Sequence, residues 1–154
     1  MTKISTQDIK KLRQETGARV LDCQKALQEA KGDFNRAKEI VTEKGLARAE
    51  KNQDRETVAG LVAQYVHNNG KVGALVELKC ETDFVAQNSE FQQVAKDIAM
   101  QVVAMNPQDV DELLEQDYIK DPSVKIEKLV KLLSGKIGEK MIIERFVRFE
   151  LGQK

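Results

Sequence analysis

The chain has 154 residues and a mass of 17.3 kDa. At the usual ~150 residues per domain this leaves room for one domain, or a main domain with a small appendage, and excludes large multidomain machines. Hydrophobic residues make up 41% and charged residues 32%, with 9 Gly and 2 Pro, so the chain can bury a core without disulfides. Lys+Arg and Asp+Glu each number 25, and the imbalance is local: residues 1–55 hold 13 basic and 9 acidic side chains, with the compensating acid in the remainder. So modest a split argues against a dedicated nucleic-acid binder, whose domain is strongly basic, and suits a partner of opposite or mosaic charge. Cys23 and Cys80 lack CxxC spacing and have no ligand types grouped around them, which reads as two reduced, buried thiols. No apolar run approaches the roughly 18 residues of a membrane span and no apolar signal stretch opens the chain, so a cytoplasmic location is expected.

Ile4, Ser5, Asp8 and Ile9 have the spacing of an N-cap, an acidic capping box and a hydrophobic staple, which predicts a helix from near Thr6 to a stop at Gly17. Val20, Cys23, Leu27 and Ala30 predict a second helix that ends at Gly32. Asp33 then caps a third, with Phe34, Ala37, Ile40 and Val41 inward and Gly45 as its stop. Residues 1–45 are therefore expected to form a three-helix module, 46–56 a helical linker and 57–154 a separate domain. From Thr57 the period becomes strand-like. Ala59, Leu61, Ala63 and Tyr65 share a face, Asn68-Asn69-Gly70 offers a turn, and Val72, Ala74, Val76, Leu78 and Cys80 form an apolar row, together a β-hairpin. Phe91, Val94, Ala95, Ile98, Val102 and Met105 recur at helical spacing up to Asn106-Pro107. A short acidic helix is expected from Asp109 to Asp117, and a further one capped by Ser123 that uses Val124, Leu129, Val130 and Leu133. Gly135 and Gly138 lead into a third strand, with Met141, Ile143, Val147, Phe149 and Leu151 on one face and Glu144, Phe146, Arg148 and Glu150 on the other. The order predicts an α+β fold: a helical module, then a small antiparallel three-stranded sheet covered by helices on one face.

Catalytic chemistry finds little support. The single histidine, His67, falls beside a turn with no serine or cysteine placed by sequence as its nucleophile, and no HExxH or metal-spaced cluster occurs. Neither an enzyme, a metal site nor a cofactor is expected. Gly70-Lys71-Val72-Gly73 and Gly135-Lys136-Ile137-Gly138 match the GxxG of the KH module, but the first lies in a hairpin and the second between a helix and a strand, where a KH loop joins two helices. With no GxxxxGK[ST] or GxGxxG, the chain itself is not expected to bind nucleotide.

Glu81-Thr82-Asp83-Phe84-Val85-Ala86 connects the hairpin to the long helix, an unusual place for a phenylalanine beside a carboxylate. Two readings follow from the residues: a hinge in which Phe84 packs back on the sheet, or an exposed aromatic anchor for a partner's pocket.

Leu12-Arg13-Gln14-Glu15-Thr16-Gly17-Ala18, Leu21-Asp22-Cys23-Gln24-Lys25-Ala26-Leu27 and Gly32-Asp33-Phe34 resemble the N-terminal module of the elongation factor Ts family, a UBA-like three-helix fold. Cys80-Glu81-Thr82-Asp83-Phe84-Val85-Ala86 resembles that family's TDFV signature, and Gly138-Glu139 with Arg145-Phe146-Val147-Arg148-Phe149-Glu150 resembles the end of its first core half. The resemblance implies a guanine-nucleotide exchange factor for the translational GTPase EF-Tu. By the same resemblance Thr82, Asp83, Phe84 and Val85 meet the GTPase near its magnesium and phosphate region, and Arg13, Val20 and Leu21 of the N-terminal module grip its nucleotide-binding domain. Arg19 and Gln24 depart from the family's usual Gly and Lys. The chain resembles the short bacterial forms with one core half, in which two chains pair, so a homodimer is expected. The alternative is a non-catalytic adaptor built on the UBA-like module. A weaker third reading, RNA association through the basic first third, predicts binding that falls steeply with salt.

Overall fold

A computed structural model of the chain describes residues 3–153. Helices α1 (Thr6–Thr16), α2 (Val20–Glu29) and α3 (Phe34–Lys51) form the N-terminal three-helix module. The start of α1 follows from its sequence. Ser5 Oγ accepts from the Asp8 amide at 3.1 Å, and Asp8 Oδ2 accepts from the Ser5 amide at 3.1 Å, which satisfies two of the donors that a helix start leaves open. Gly17 ends α1 with φ 66°, the left-handed conformation that glycine adopts without steric cost. Asp33 Oδ1 accepts from the Arg36 amide at 3.0 Å and caps α3 as expected. Leu12, Cys23, Ala26, Leu27, Ala37 and Ile40 close a small core within the module.

Helix α3 does not stop at Gly45. It continues to Lys51, so residues 46–51 of the expected linker belong to the helix itself. A stop glycine takes positive φ, and Gly45 does not. It lies instead where α3 crosses α7 (Ile126–Ile137), with Gly135 facing it backbone to backbone. Arg48 Nη1 donates to the Gly135 carbonyl at 3.1 Å and Arg48 Nη2 to Asp22 Oδ2 at 3.1 Å, fastening the same seam.

Strands β1 (Ala59–Val66), β2 (Val72–Cys80) and β5 (Ile142–Glu150) make an antiparallel sheet in the order β1-β2-β5. The hairpin register runs from Ala59 opposite Cys80 to Val66 opposite Gly73, with Gly70 at φ 71° in the turn. Helix α5 (Ser89–Met105) covers one face and packs Phe91, Ala95, Ile98 and Val102 with Val76, Leu78 and Cys80. The short α4 (Asp83–Ala86) joins β2 to α5, and α6 (Val110–Glu115), capped by Asp109, follows it.

Ser123 does not cap a helix. Residues Asp117–Tyr118 (β3) and Asp121–Lys125 (β4) pair as a small ribbon, Ser123 Oγ donates to Asp121 Oδ1 at 2.6 Å, and α7 begins only at Ile126. The ribbon is held from inside. Tyr118 is buried and donates its hydroxyl to Asp97 Oδ2 at 3.0 Å, while Lys120 Nζ and Gln93 Nε2 reach Asp97 Oδ1 at 2.7 and 2.9 Å. A buried carboxylate needs such partners, and they draw 117–125 into a hairpin.

The third strand departs from its expected two faces. A bulge opposite Glu77 and Leu78 inserts one residue, Glu144, between Ile143 and Arg145. One extra residue reverses the side-chain alternation beyond it. Ile143 therefore faces the core, whereas Val147 and Phe149 turn to the uncovered face of the sheet and Phe146 and Arg148 turn inward. Arg148 is satisfied there: its Nε and Nη2 both donate to the Val103 carbonyl at 3.2 Å, and Nη1 meets Glu150 at 3.0 Å.

Candidate partner-binding surface

Thr82 caps α4, its Oγ1 accepting from the Val85 amide at 3.3 Å. Within that single turn the side chains divide. Val85 and Ala86 are buried in the core beside Cys80 and Phe91, which pins the turn to the sheet and α5. Asp83 and Phe84 point outward, and Phe84 is 86% exposed. Full burial of a phenylalanine is worth about 1.5–3 kcal/mol, and this chain leaves that stabilisation unused. The hinge reading, in which Phe84 packs on its own sheet, is overturned.

The turn is braced from the α7–β5 connector. Glu139 Oε1 accepts from the amides of Glu81 and Thr82 at 3.1 and 3.0 Å, and its Oε2 accepts from Thr82 Oγ1 at 2.8 Å. In return Glu81 Oε1 accepts from the Lys140 amide at 2.8 Å. Cys80 Sγ donates to the Thr82 carbonyl at 3.2 Å, and burial raises the pKa of this thiol. Glu139 was not singled out as a site residue from the sequence, because it lies 57 positions from Thr82 and no local pattern connects them.

The second group of expected contact residues lies at the α1–α2 corner. Arg13 is exposed in the last turn of α1; Val20 and Leu21 open α2 and are 48% and 65% exposed. Val20 thus stands outside the helical core row it was expected to join, because Cys23, Ala26 and Leu27 fill the inner face of α2. This corner rests on the end of α7: the Lys136 side chain packs over Gly17, and Arg19 Nη2 donates to the Ile137 carbonyl at 3.5 Å. Lys136 Nζ also pairs with Glu90 at 2.5 Å, at the start of α5 just beyond the exposed turn. The two groups are therefore separate surfaces with the α7 terminus between them. Arg19, a departure from the family pattern, has a structural task there.

Other chemistry-bearing residues are dispersed. His67 is exposed on the hairpin, its Nδ1 3.3 Å from Tyr65 Oη. Among the described residues no group of three His, Cys, Asp or Glu side chains is placed to hold a metal, and no helix is long and apolar enough to cross a membrane.

An exposed aromatic on a braced turn, beside a helical module with its own exposed apolar corner, is the kind of surface at which partner proteins dock. Comparison with known proteins gives the family. Residues 81–154 match the family described as Elongation factor TS. The chain is 38% identical to elongation factor Ts of Thermodesulfovibrio yellowstonii over 194 aligned positions, covering 97% of each chain. It is 39% identical to the chloroplastic elongation factor Ts of Guillardia theta, covering 98% of this chain and 90% of that one, and 38% identical to elongation factor Ts of Fervidobacterium nodosum, covering 98% and 100%. The chain belongs to the elongation factor Ts family and is a translation elongation factor. The alignments span more positions than its 154 residues, so these relatives carry positions that this chain does without.

Proposed function

We propose that the chain is the guanine-nucleotide exchange factor of EF-Tu, binding the GDP form of the GTPase and promoting GDP release with the Thr82–Val85 turn. The observation that carries this reading is the outward Phe84 at 86% exposure on a turn whose neighbours Val85 and Ala86 are buried. No bond to the nucleotide is made or broken by the factor, and no catalytic group is needed. Exchange is negative coupling between two ligands of the GTPase, and linkage makes it reciprocal: what the factor removes from GDP affinity, GDP removes from the factor's. An acceleration of about a thousandfold corresponds to roughly 4 kcal/mol of barrier, more than the ~1.5–3 kcal/mol available from burying one phenylalanine. The Arg13, Val20 and Leu21 corner therefore supplies further binding energy while Phe84 wedges the switch region. Asp83 perturbs the magnesium surroundings, which weakens neutralisation of the β-phosphate. Val85 serves the same site from below as the anchor of the turn.

The partners proposed are EF-Tu and a second copy of this chain, in a cytoplasmic setting, with no nucleic acid or membrane bound directly. The homodimer is supported by the sheet face that no helix covers, where Val62, Val66, Leu75, Val147 and Phe149 are all exposed; contiguous apolar surface of this kind marks association sites.

Release of fluorescent GDP from purified EF-Tu tests the reading. The wild-type chain accelerates release, and Phe84→Ala lowers the accelerated rate by about ten-fold or more, on the order of 1.4 kcal/mol, with little change in the factor's own stability because the ring is exposed. A folded Phe84→Ala variant as fast as wild type rejects the wedge. A wild-type chain that binds EF-Tu without changing release establishes the adaptor alternative.

A further inference from the structure

A four-residue helix has little means of holding its own direction. α4 closes with the bonds from Ala86 to the Thr82 carbonyl at 3.2 Å and from Gln87 to the Asp83 carbonyl at 3.1 Å, fewer than the number at which helix formation becomes favourable. Val85 and Ala86 fix its depth from below. Its pitch is fixed from the side, by a residue on another element.

We propose that Glu139 is the positioning residue of the exposed turn: its carboxylate sets the direction in which Asp83 and Phe84 are presented, and so sets the rate of exchange more than the affinity for the GTPase. The inference rests on the exchange reading above and adds to it the group that regulates the same surface. Both oxygens are used. One receives two consecutive amides, at 3.1 and 3.0 Å, and the other receives the Thr82 hydroxyl at 2.8 Å. Hydrogen bonds to an ionised acceptor are roughly twice as strong as neutral ones, and three of them converge on two residues. The Thr82 hydroxyl has a single proton, which it donates to Glu139. Its lone pairs are then directed at the Val85 amide, which caps α4. The carboxylate thus determines the orientation of the cap.

Glu139 is itself held. Ser134 Oγ donates to its carbonyl at 2.6 Å, and the neighbouring Lys140 amide is bonded to Glu81. The same stretch carries the N-terminal module, since the carbonyls of Gly135, Ile137 and Gly138 accept from Arg48, Arg19 and Asn52 at 3.1, 3.5 and 3.5 Å. Lys140 Nζ also donates to the Gln53 carbonyl. One short connector therefore gives both contact surfaces a common frame. The bonds of the Glu139 carboxylate end on Glu81 and Thr82, outside the hydrophobic core, so its removal loosens the turn and leaves the core packed.

The test uses the full chain with EF-Tu loaded with fluorescent GDP, titrating factor to obtain the maximal release rate and the half-saturating concentration. Glu139→Ala lowers the maximal rate by about ten-fold while half-saturation moves far less. Glu139→Gln, which keeps an acceptor for the two amides and a donor for the Thr82 hydroxyl, restores most of the rate. In a Phe84→Ala background Glu139→Ala costs much less than it does in wild type, because most of its effect passes through the ring and only the part carried by Asp83 remains. Independently of EF-Tu, amide hydrogen exchange at Glu81 and Thr82 quickens in the Ala variant. If Glu139→Ala does not fold, Glu139→Met keeps the length of the side chain without an oxygen acceptor and shows the same loss of maximal rate, with the Glu81 and Thr82 amides again exchanging faster. The proposal is overturned if folded Glu139→Ala matches wild type, if its effect multiplies with that of Phe84→Ala, if Gln is as impaired as Ala, or if the two amides are unchanged. A wild-type chain that leaves GDP release unaltered refutes the exchange reading and this inference with it; an active wild type with an unimpaired Glu139→Ala refutes this inference only.

Discussion

Two glycines at one helix crossing respond oppositely to the same substitution. A Cβ built on Gly135 falls under 3.0 Å from the carbonyl oxygen, carbonyl carbon and Cα of Gly45. Those are backbone atoms of α3, which cannot swing aside as a side-chain tip does, so α3 and α7 must part and the bond from Arg48 to the Gly135 carbonyl is lost. A Cβ on Gly45 meets the Gly135 carbonyl carbon at 3.8 Å, an ordinary contact. Helix propensity favours Ala over Gly by about 1 kcal/mol at either position, whereas overpacking costs about 1–3 kcal/mol or more. Gly45→Ala is therefore expected to leave stability unchanged or raise it by up to about 1 kcal/mol. Gly135→Ala is expected to lower it by up to about 2 kcal/mol net, because the clash is with backbone and outweighs the gain in propensity. Urea unfolding followed by circular dichroism reads both as shifts in midpoint at constant slope. Equal effects of the two variants, or a Gly135→Ala variant more stable than wild type, would refute backbone contact at this crossing.

Two further outcomes follow from the sheet and from the buried tyrosine. Phe149→Asp places a charge on the uncovered sheet face at a position 74% exposed in the single chain; for the proposed homodimer, light scattering should show wild type at twice 17.3 kDa and the variant at 17.3 kDa, whereas a dimeric variant would put the interface elsewhere and a monomeric wild type would refute the homodimer. Burial, and then the hydrogen bond to Asp97, push the Tyr118 phenol above its usual 10.0. A folded-state pKa above the unfolded one gives stability that is complete below pH 10 and is lost as the pH rises through the folded value. Wild type should thus lose stability in that alkaline window more steeply than Tyr118→Phe, as measured by urea unfolding across the pH range, and parallel losses would mean that Tyr118 carries none of the pH dependence.

Much of the local structure was legible because it is encoded within a few residues. The Ser5–Asp8 box, the stop at Gly17, the Asp33 cap and the Asn68-Asn69-Gly70 turn each depend on neighbours at most four positions away, and the structure contains all of them; α2 instead ends at Glu29, with Lys31 ahead of Gly32 already in the left-handed region. Gly45 deceived because a glycine late in a helix has two uses, a stop or a close approach, and only the position of Gly135 decides between them. Ser123 deceived because a serine ahead of an apolar run suits a cap, while the partners of Asp97 on Tyr118 and Lys120 pull that stretch into a ribbon.

The candidate surface divides along the same line. The residue types of Thr82-Asp83-Phe84-Val85 can be read from the chain, but the residues alone left Phe84 between an inward hinge and an outward anchor. Local sequence determined the starts of α1 and α3, the course of α5, the hairpin and the α+β class, because capping, turn chemistry and hydrophobic period act over a few residues. Tertiary structure alone decided the exposure of Phe84, the brace from Glu139 and the turning of Phe149 to the open face. Those outcomes depend on a pairing 57 residues apart in the chain and on one inserted residue in β5, and neither the closing of a long loop nor the site of a bulge is specified by the period of the strand that contains it.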